Sequence, residues 1–370
     1  MIKVSRGSFG EEELEAVRSA FEYGYLGLGH KVDEFEEELK NFLGATHVVA
    51  TNTGTSALHL SLEALEIGSG DEVILPSLTF VASFQAISAT GAFPIPIDIN
   101  PDTLLMDLKF INDSITDRTK AIMPVHYGGN PCDMKALLKL GKERNIRIVE
   151  DAAHAFGSFY FGEKIGGFGD VTCFSFDSIK NMTCGEGGAI ASDDASFIEK
   201  LKIKRLLGID RKMQTSTSWK DRGWSYDVVD QGFRYHMGNL NAAIGLAQLK
   251  KSEAFISRRK EICLWYVSEF QGHPLVKLLD VDYSIVAPHI FVLRVMEGKR
   301  DGLMKFLKEH DIESGIPYIP NHLHSFYSAD IELPNTEKVF NEIISLPLHT
   351  ELTDEDVRLV IKGVKEFFSK

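Results

Sequence analysis

Four short segments carry the residues whose types and spacing could do chemistry. The richest runs Cys173-Phe174-Ser175-Phe176-Asp177-Ser178-Ile179-Lys180-Asn181-Met182-Thr183-Cys184-Gly185-Glu186-Gly187-Gly188. A lysine just past an apolar run and before a glycine-rich turn is placed to lose solvent, and a desolvated amine has the lowered pKa that Schiff-base chemistry requires. A solvated loop lysine has no such property, and the segment alone admits both. In Ile148-Val149-Glu150-Asp151-Ala152-Ala153-His154 an apolar strand runs into two carboxylates. A buried, unpaired charge is costly, so Asp151 needs a cation such as a protonated heterocyclic nitrogen, unless it simply caps the next helix. Thr51-Asn52-Thr53-Gly54-Thr55-Ser56 opens a helix. Gly54 lets backbone approach an anion, the free N–H groups and dipole of the helix end hold a phosphate, and Thr55 adds a hydroxyl. Ordinary capping uses the same residue types. In Pro76-Ser77-Leu78-Thr79-Phe80-Val81-Ala82, Phe80 either stacks on a planar ring or joins the core.

A phosphate cradle, an acid for a ring nitrogen, an aromatic platform and an amine together describe a pyridoxal 5'-phosphate site. Each lies where a strand should end, which is where open α/β sheets place ligands. The strands are expected at His47 to Ala50, Glu72 to Leu75, Pro94 to Ile99, Lys120 to Val125, Ile146 to Val149 and Val171 to Phe176, alternating with helix-length segments. That alternation predicts an α/β fold with a mostly parallel, doubly covered sheet. Ahead of it, Ser8-Phe9-Gly10-Glu11 reads as a capping box opening an amphipathic helix with Leu14, Val17 and Phe21 on one face, and Val32, Phe35, Leu39 and Phe42 mark a second helix. From Asn239 a long helix extends to about residue 270, and the remainder mixes a strand at HIFVLRV with helices at DGLMKFLKEH and from Thr353. The expected division is a large cofactor-binding domain at 1–245 and a smaller α+β domain at 246–370, with the long helix connecting them.

Composition bounds the partners. The 370 residues carry 40 Lys and Arg against 53 Asp and Glu, a net charge of −13, which argues against a nucleic acid or an anionic membrane because those are bound by surplus cations. Any phosphate must be handled locally. Cys132, Cys173, Cys184 and Cys263 form no CxxC pair and no disulfide framework, and no metal ion is called for. The amino-terminal segment has no apolar signal region after Lys3 and Arg6, and no window reaches about 18 uninterrupted apolar residues. The expected setting is the cytoplasm.

The sequence resembles the DegT/DnrJ/EryC1/StrS family of sugar aminotransferases, which are fold-type I pyridoxal-phosphate enzymes. The similarity runs from GYLGLGHKVDEFEEEL through TNTGTSALHLSL, PSLTFVAS, PIDINPDT, VEDAAHAFGS and FSFDSIKNMTCGEGGAI to LPLHTELTDEDV. EDAAHAFGS followed by SFxxxKNxxxGEGG at this distance is highly specific. The resemblance implies that Lys180 binds the cofactor covalently and then carries the proton, and that Asp151 pairs with the ring nitrogen. It places Phe80 on one ring face and Ala153 on the other, gives Gly54, Thr55 and Ser175 to the phosphate, and sets His154 near the phenolic oxygen. Where the family often reads GYNYRM, this chain has Gly232-Phe233-Arg234-Tyr235-His236-Met237. In relatives that asparagine reaches the neighbouring subunit's cofactor phosphate, a task open to Arg234 as a charge-assisted donor. Asp177 replaces a frequent histidine.

The implied reaction takes an amino group from L-glutamate and delivers it to a nucleotide-linked keto sugar (dTDP-, UDP- or GDP-linked) in a homodimer with shared active sites, in surface-polysaccharide or glycoside biosynthesis. A sugar dehydratase on the same scaffold replaces the lysine with histidine, against which Lys180 argues. A non-catalytic regulator leaves Lys180 and Asp151 unexplained. Tyr318, His322 and His324 in YIPNHLH resemble the family's substrate-side loop, and MGNLNAAIGLAQL resembles the branch aminating C4 of 4-keto-6-deoxy sugars more than the 3-aminating branch. Between Lys200 and Arg222, eight Lys and Arg residues offer either a nucleotide-diphosphate contact or a solvated basic face.

Overall fold

In a computed structural model, which describes residues 1–210, 226–328 and 331–369, all six apolar runs are strands. They are His47–Thr51, Glu72–Pro76, Phe93–Ile97, Thr119–Ile122, Arg147–Asp151 and Val171–Ser175. A seventh strand, Gly188–Ser192, was not expected from its glycine- and alanine-rich sequence. Across the sheet the order is His47–Thr51, Gly188–Ser192, Val171–Ser175, Arg147–Asp151, Thr119–Ile122, Glu72–Pro76, Phe93–Ile97. Gly188–Ser192 runs antiparallel to both neighbours, and the strands from Val171–Ser175 to Phe93–Ile97 are parallel.

Strand side chains alternate between faces, so a sheet covered on both sides has no solvated set. Val49, Val73, Val149, Val171 and Ile190 pack under the helices Gly54–Ala64 and Val81–Ala89. Val48, Phe174, Ala189 and Ala191 face the other way, against Val32, Phe35 and Leu39 of His30–Leu43. Full burial of each valine, leucine, isoleucine or phenylalanine among them stabilises the fold by about 1.5–3 kcal/mol, and of each alanine by less.

The long helix is Asn239–Phe270, as its sequence predicts. Ala242 and Leu246 in its first half join the core of the large sheet, whereas Ile262, Cys263, Tyr266 and Phe270 join a separate core. There they meet the three-stranded antiparallel sheet Val276–Leu278, Phe291–Val295 and Ile343–Leu346 and the helices Arg300–Glu309 and Asp354–Phe368. Thr353 caps the last helix as expected, its hydroxyl accepting from the Asp356 N–H. No helix among the described residues is long and apolar enough to cross a membrane.

The first helix departs from expectation. It spans Glu11–Tyr23 and its N-cap is Gly10, whose N–H donates to Glu13 Oε2 at 2.7 Å, while Ser8 Oγ donates to Glu351 instead of capping. Leu14 and Phe21 are exposed, and Glu13 and Ala20 are the residues turned inward. The cause is electrostatic: Glu13 Oε1 accepts from Gln248 Nε2 at 2.7 Å and meets Lys251 Nζ at 2.5 Å on the long helix.

Candidate active site

Sheet register assembles the site. Thr51 pairs with Gly188 and Gly188 with Ser175, while Asp151 pairs with Cys173 in the next strand along. The ends of the strands His47–Thr51, Arg147–Asp151 and Val171–Ser175 therefore form one row, and the helix Gly54–Ala64 begins directly above it. Thr53 caps that helix, accepting from the Ser56 N–H at 3.0 Å. The N–H groups of Gly54 and Thr55, at the first two helical positions, have no intrahelical acceptor, which makes them anion donors. A Cβ on Gly54 would lie 2.7 Å from Ser175 Cβ and 3.2 Å from its Cα. Gly54→Ala is accordingly expected to push the helix end off the strand and weaken cofactor binding by tenfold or more, the loss of about one charge-assisted hydrogen bond. Equilibrium dialysis against the apo-protein would read this; unchanged affinity would overturn the expectation that Gly54 belongs to a phosphate cradle.

The row borders a cavity of about 370 Å³ whose lining includes Gly54, Thr55, Phe80, Asp151, Ala153, His154, Ser175, Lys180 and Tyr318. Nine of the residues singled out in the sequence thus converge. Lys180 is half-buried at the cavity, and desolvation pulls its amine down to about 8 against the opposing attraction of Asp151 and Asp177. The two carboxylates of Glu150-Asp151 separate because successive strand residues face opposite sides. Glu150 points into the core, where it accepts from Thr172 Oγ1 at 2.7 Å and pairs with His126 Nε2 at 2.9 Å. Asp151 faces the cavity, Oδ2 accepting from Ser83 Oγ at 2.6 Å and Oδ1 from the Ala153 N–H at 3.1 Å. Phe80 keeps 54% of its surface exposed, with its ring 5.4 Å from that of Tyr318. It is not a core residue, and its ring is open to the cavity.

His154 is buried, and burial, then the charge of Lys180, hold its pKa well below the usual imidazole value. Its tautomer follows from its neighbours. The Gly128 N–H donates to Nδ1 at 3.3 Å, so the proton sits on Nε2, 2.9 Å from the Tyr318 hydroxyl oxygen.

Three expected residues stand elsewhere. His322 is buried outside the cavity, Nδ1 2.7 Å from Ser77 Oγ and Nε2 3.5 Å from Glu337. His324 does not line the cavity; its backbone closes the turn Asn321–Leu323. Arg234 is exposed, and only its backbone carbonyl reaches the site's neighbourhood, accepting from Asn52 Nδ2 at 3.4 Å. Of the basic segment, 211–222 lies outside the described residues, and the described cations already hold partners: Lys200 with Glu66 at 2.6 Å, Lys202 with Glu199 at 3.5 Å, Lys204 with Asp230 at 3.0 Å and Arg205 with Glu36.

Residues not anticipated also line the cavity, notably Thr79 and Glu186, together with Asp177 beside the lysine. Ser83 lies one helical turn after Phe80, and its partner Asp151 is 68 residues away in the chain, so no local pattern marks it. A larger open groove of about 680 Å³ beside Trp265, Arg358 and Lys362 holds no comparable constellation.

The profile of the DegT/DnrJ/EryC1/StrS aminotransferase family matches residues 8–365. An uncharacterized protein of Methanocaldococcus jannaschii is 38% identical over 379 aligned positions, covering 99% of this chain and 97% of the relative. The aminotransferase TlmJ of Streptoalloteichus hindustanus superposes with a TM-score of 0.93 at 33% identity, covering 100% and 99% of the two chains. The sugar aminotransferase assigned as Spr1654 of Streptococcus pneumoniae, in its PLP form, gives 0.92 at 31% identity, covering 100% and 98%. With these agreeing along the whole length, the chain belongs to the DegT/DnrJ/EryC1/StrS aminotransferase family.

Proposed function

We propose that this aminotransferase holds pyridoxal 5'-phosphate in the cavity around Lys180 and transfers an amino group from L-glutamate to a nucleotide-linked keto sugar. The observation that carries the reading is the shared cavity of a half-buried amine, a buried carboxylate and an open helix end, Lys180, Asp151 and Gly54. The residues fit the cofactor. Asp151 suits a cationic ring nitrogen, because its two hydrogen bonds come from neutral donors and leave a charge that attracts cations, as it does the Lys180 ammonium. The Gly54 and Thr55 N–H groups with Ser175 suit a phosphate, and Phe80 and Ala153 suit the two faces of a planar ring.

When bound, the cofactor supplies an electron sink that acidifies the carbon bearing the amino group. Lys180 Nζ serves as covalent anchor and then as the base and acid that moves the proton, a role for which a pKa near 8 is suited because both protonation states are accessible near neutrality. Asp151 holds the proton on the ring nitrogen. The Nε2–H of neutral His154 donates toward the phenolic oxygen or to Tyr318. Phe80 and Tyr318 line one side of the cavity. Arg234, exposed on one protomer, is proposed to reach the cofactor phosphate of its partner in a homodimer, and the chain is proposed to divide near residue 245 within the long helix.

For the sugar, the segment from Met237 favours amination at C4 of a 4-keto-6-deoxy substrate. The test is a panel of dTDP-, UDP- and GDP-linked 3-keto and 4-keto sugars with glutamate. The expected result is amino-sugar product from a 4-keto compound and loss of the visible cofactor absorbance on glutamate addition. Product only from 3-keto compounds would overturn the regiochemistry, and absorbance indifferent to glutamate would overturn the donor.

A further inference from the structure

The Asp151 carboxylate stands at the end of a chain of buried polar groups that begins on another loop. Asn321 Nδ2 donates to the carbonyls of Ser77 at 3.1 Å and Thr79 at 2.8 Å, and the Asn321 N–H donates to the same Ser77 carbonyl at 2.9 Å. His322 reinforces the clasp: its N–H donates to Ser77 Oγ at 3.1 Å, and its Nδ1 lies 2.7 Å from that oxygen. The turn so held carries Thr79, whose Oγ1 is 3.1 Å from Ser83 Oγ, and Ser83 Oγ is 2.6 Å from Asp151 Oδ2. Proton directions follow from valence. An ionised carboxylate only accepts, so the single hydroxyl proton of Ser83 goes to Asp151, and at the Thr79–Ser83 contact Thr79 must donate.

We propose that Asn321, Thr79 and Ser83 form a positioning relay that ties the Asp151 carboxylate to the loop bearing Tyr318. Ser77, Ser83 and Asn321 show no exposed surface and Thr79 only 2%, so a lost link has no solvent to replace it. Among the described residues Asn321 Oδ1 has no partner. An amide kept in the interior with one end unsatisfied indicates that its two Nδ2 contacts are what the position is for. Tyr318 stands three residues before Asn321, and its ring lies 5.4 Å from Phe80, the residue after Thr79. The aromatic platform, the substrate-side loop and the ring-nitrogen acid are thereby one mechanical unit. Asn321 and His322 act from behind the site, which accounts for His322 lying outside the cavity.

The proposal rests on the reading that Asp151 meets the cofactor's ring nitrogen. It is tested in the cofactor-loaded protein with Ser83→Ala, Ser83→Thr, Thr79→Val and the Ser83→Ala/Thr79→Val pair. Readouts are cofactor affinity by dialysis, the pH dependence of the visible spectrum, and kcat and KM for glutamate. Ser83→Ala is expected to lower kcat by about tenfold or more, the loss of one hydrogen bond to a charged group, with KM within about twofold and a displaced spectral titration. Ser83→Thr should restore the spectrum, and Thr79→Val should add nothing in the Ser83→Ala background, since links of one relay are not additive. An unchanged spectral titration and kcat in Ser83→Ala, or independent additive effects of the two sites, overturns the relay. Asp151→Asn separates the two ideas: if it abolishes turnover while Ser83→Ala does nothing, only the relay fails, and if Asp151→Asn itself is silent, the ring-nitrogen reading fails.

Discussion

Lys180→Ala is expected to lower kcat for amino transfer by at least about 10⁴-fold, because in the proposed role Lys180 is both a covalent anchor and a proton carrier, and the acid–base contribution alone is about 10²–10⁴. The fold should survive, since Lys180 is only half-buried and lines the cavity. Lys180→Arg is expected to be equally inactive: it retains a cation but offers no amine that can lose its proton near neutrality. The chemistry of the position is testable before any turnover. Burial penalises the ammonium form and pulls this amine from 10.5 to about 8, so reductive methylation of Lys180 in the apo-protein should reach half its limiting rate near pH 8, well before exposed lysines respond. The sign of the linked stability change follows. Between pH 8 and 10.5 the unfolded chain binds the Lys180 proton and the folded chain does not, so this group's contribution to apo-protein stability rises with pH across that window. A labelling midpoint near 10.5, or a Lys180→Ala variant with full transamination, would falsify the assigned role.

Much of this was legible in the sequence, for identifiable reasons. The six apolar runs formed strands because β-branched and large apolar residues buried on both faces leave little alternative. Gly188–Ser192 is not legible as a strand because its demand is the reverse: a Cβ at Gly188 would lie 2.3 Å from the Thr53 carbonyl oxygen, so the strand is written in small residues where the helix end crosses it. Lys180, Asp151 and Gly54 could be read locally, since each needs only its own strand end. His322 could not, because its role depends on Ser77, 245 positions away in the chain. Ser83 is similar, as nothing in VASFQA announces a bond to a carboxylate 68 residues on. The first helix shows a third kind of failure. Leu14 and Phe21 have the right period for a core face, but Lys251 and Gln248 compete for Glu13 and rotate that face outward.

Asp151→Asn is the second large effect, and its geometry makes it clean. The side chain keeps its shape, and both surviving partners can be met. The amide oxygen can accept the Ala153 N–H, and the amide nitrogen can donate to Ser83 Oγ once that hydroxyl turns its proton away. What disappears is the charge facing the cavity. With Asp151 as the proposed counter-ion of a protonated ring nitrogen, leaving that nitrogen unpaired in a buried site costs about 3–5 kcal/mol, which corresponds to a fall in kcat of about 10²- to 10⁴-fold. Thermal unfolding of the apo-protein should change little, because the desolvation cost of the buried carboxylate and its attraction to the Lys180 ammonium are lost together. A second consequence reaches Lys180. Asp151 is the first of the two charges that hold the amine up against burial, so its neutralisation should move the Lys180 labelling midpoint below pH 8. A purely structural disruption would instead let water in and move the midpoint toward 10.5, so the direction of that shift distinguishes loss of charge from loss of shape.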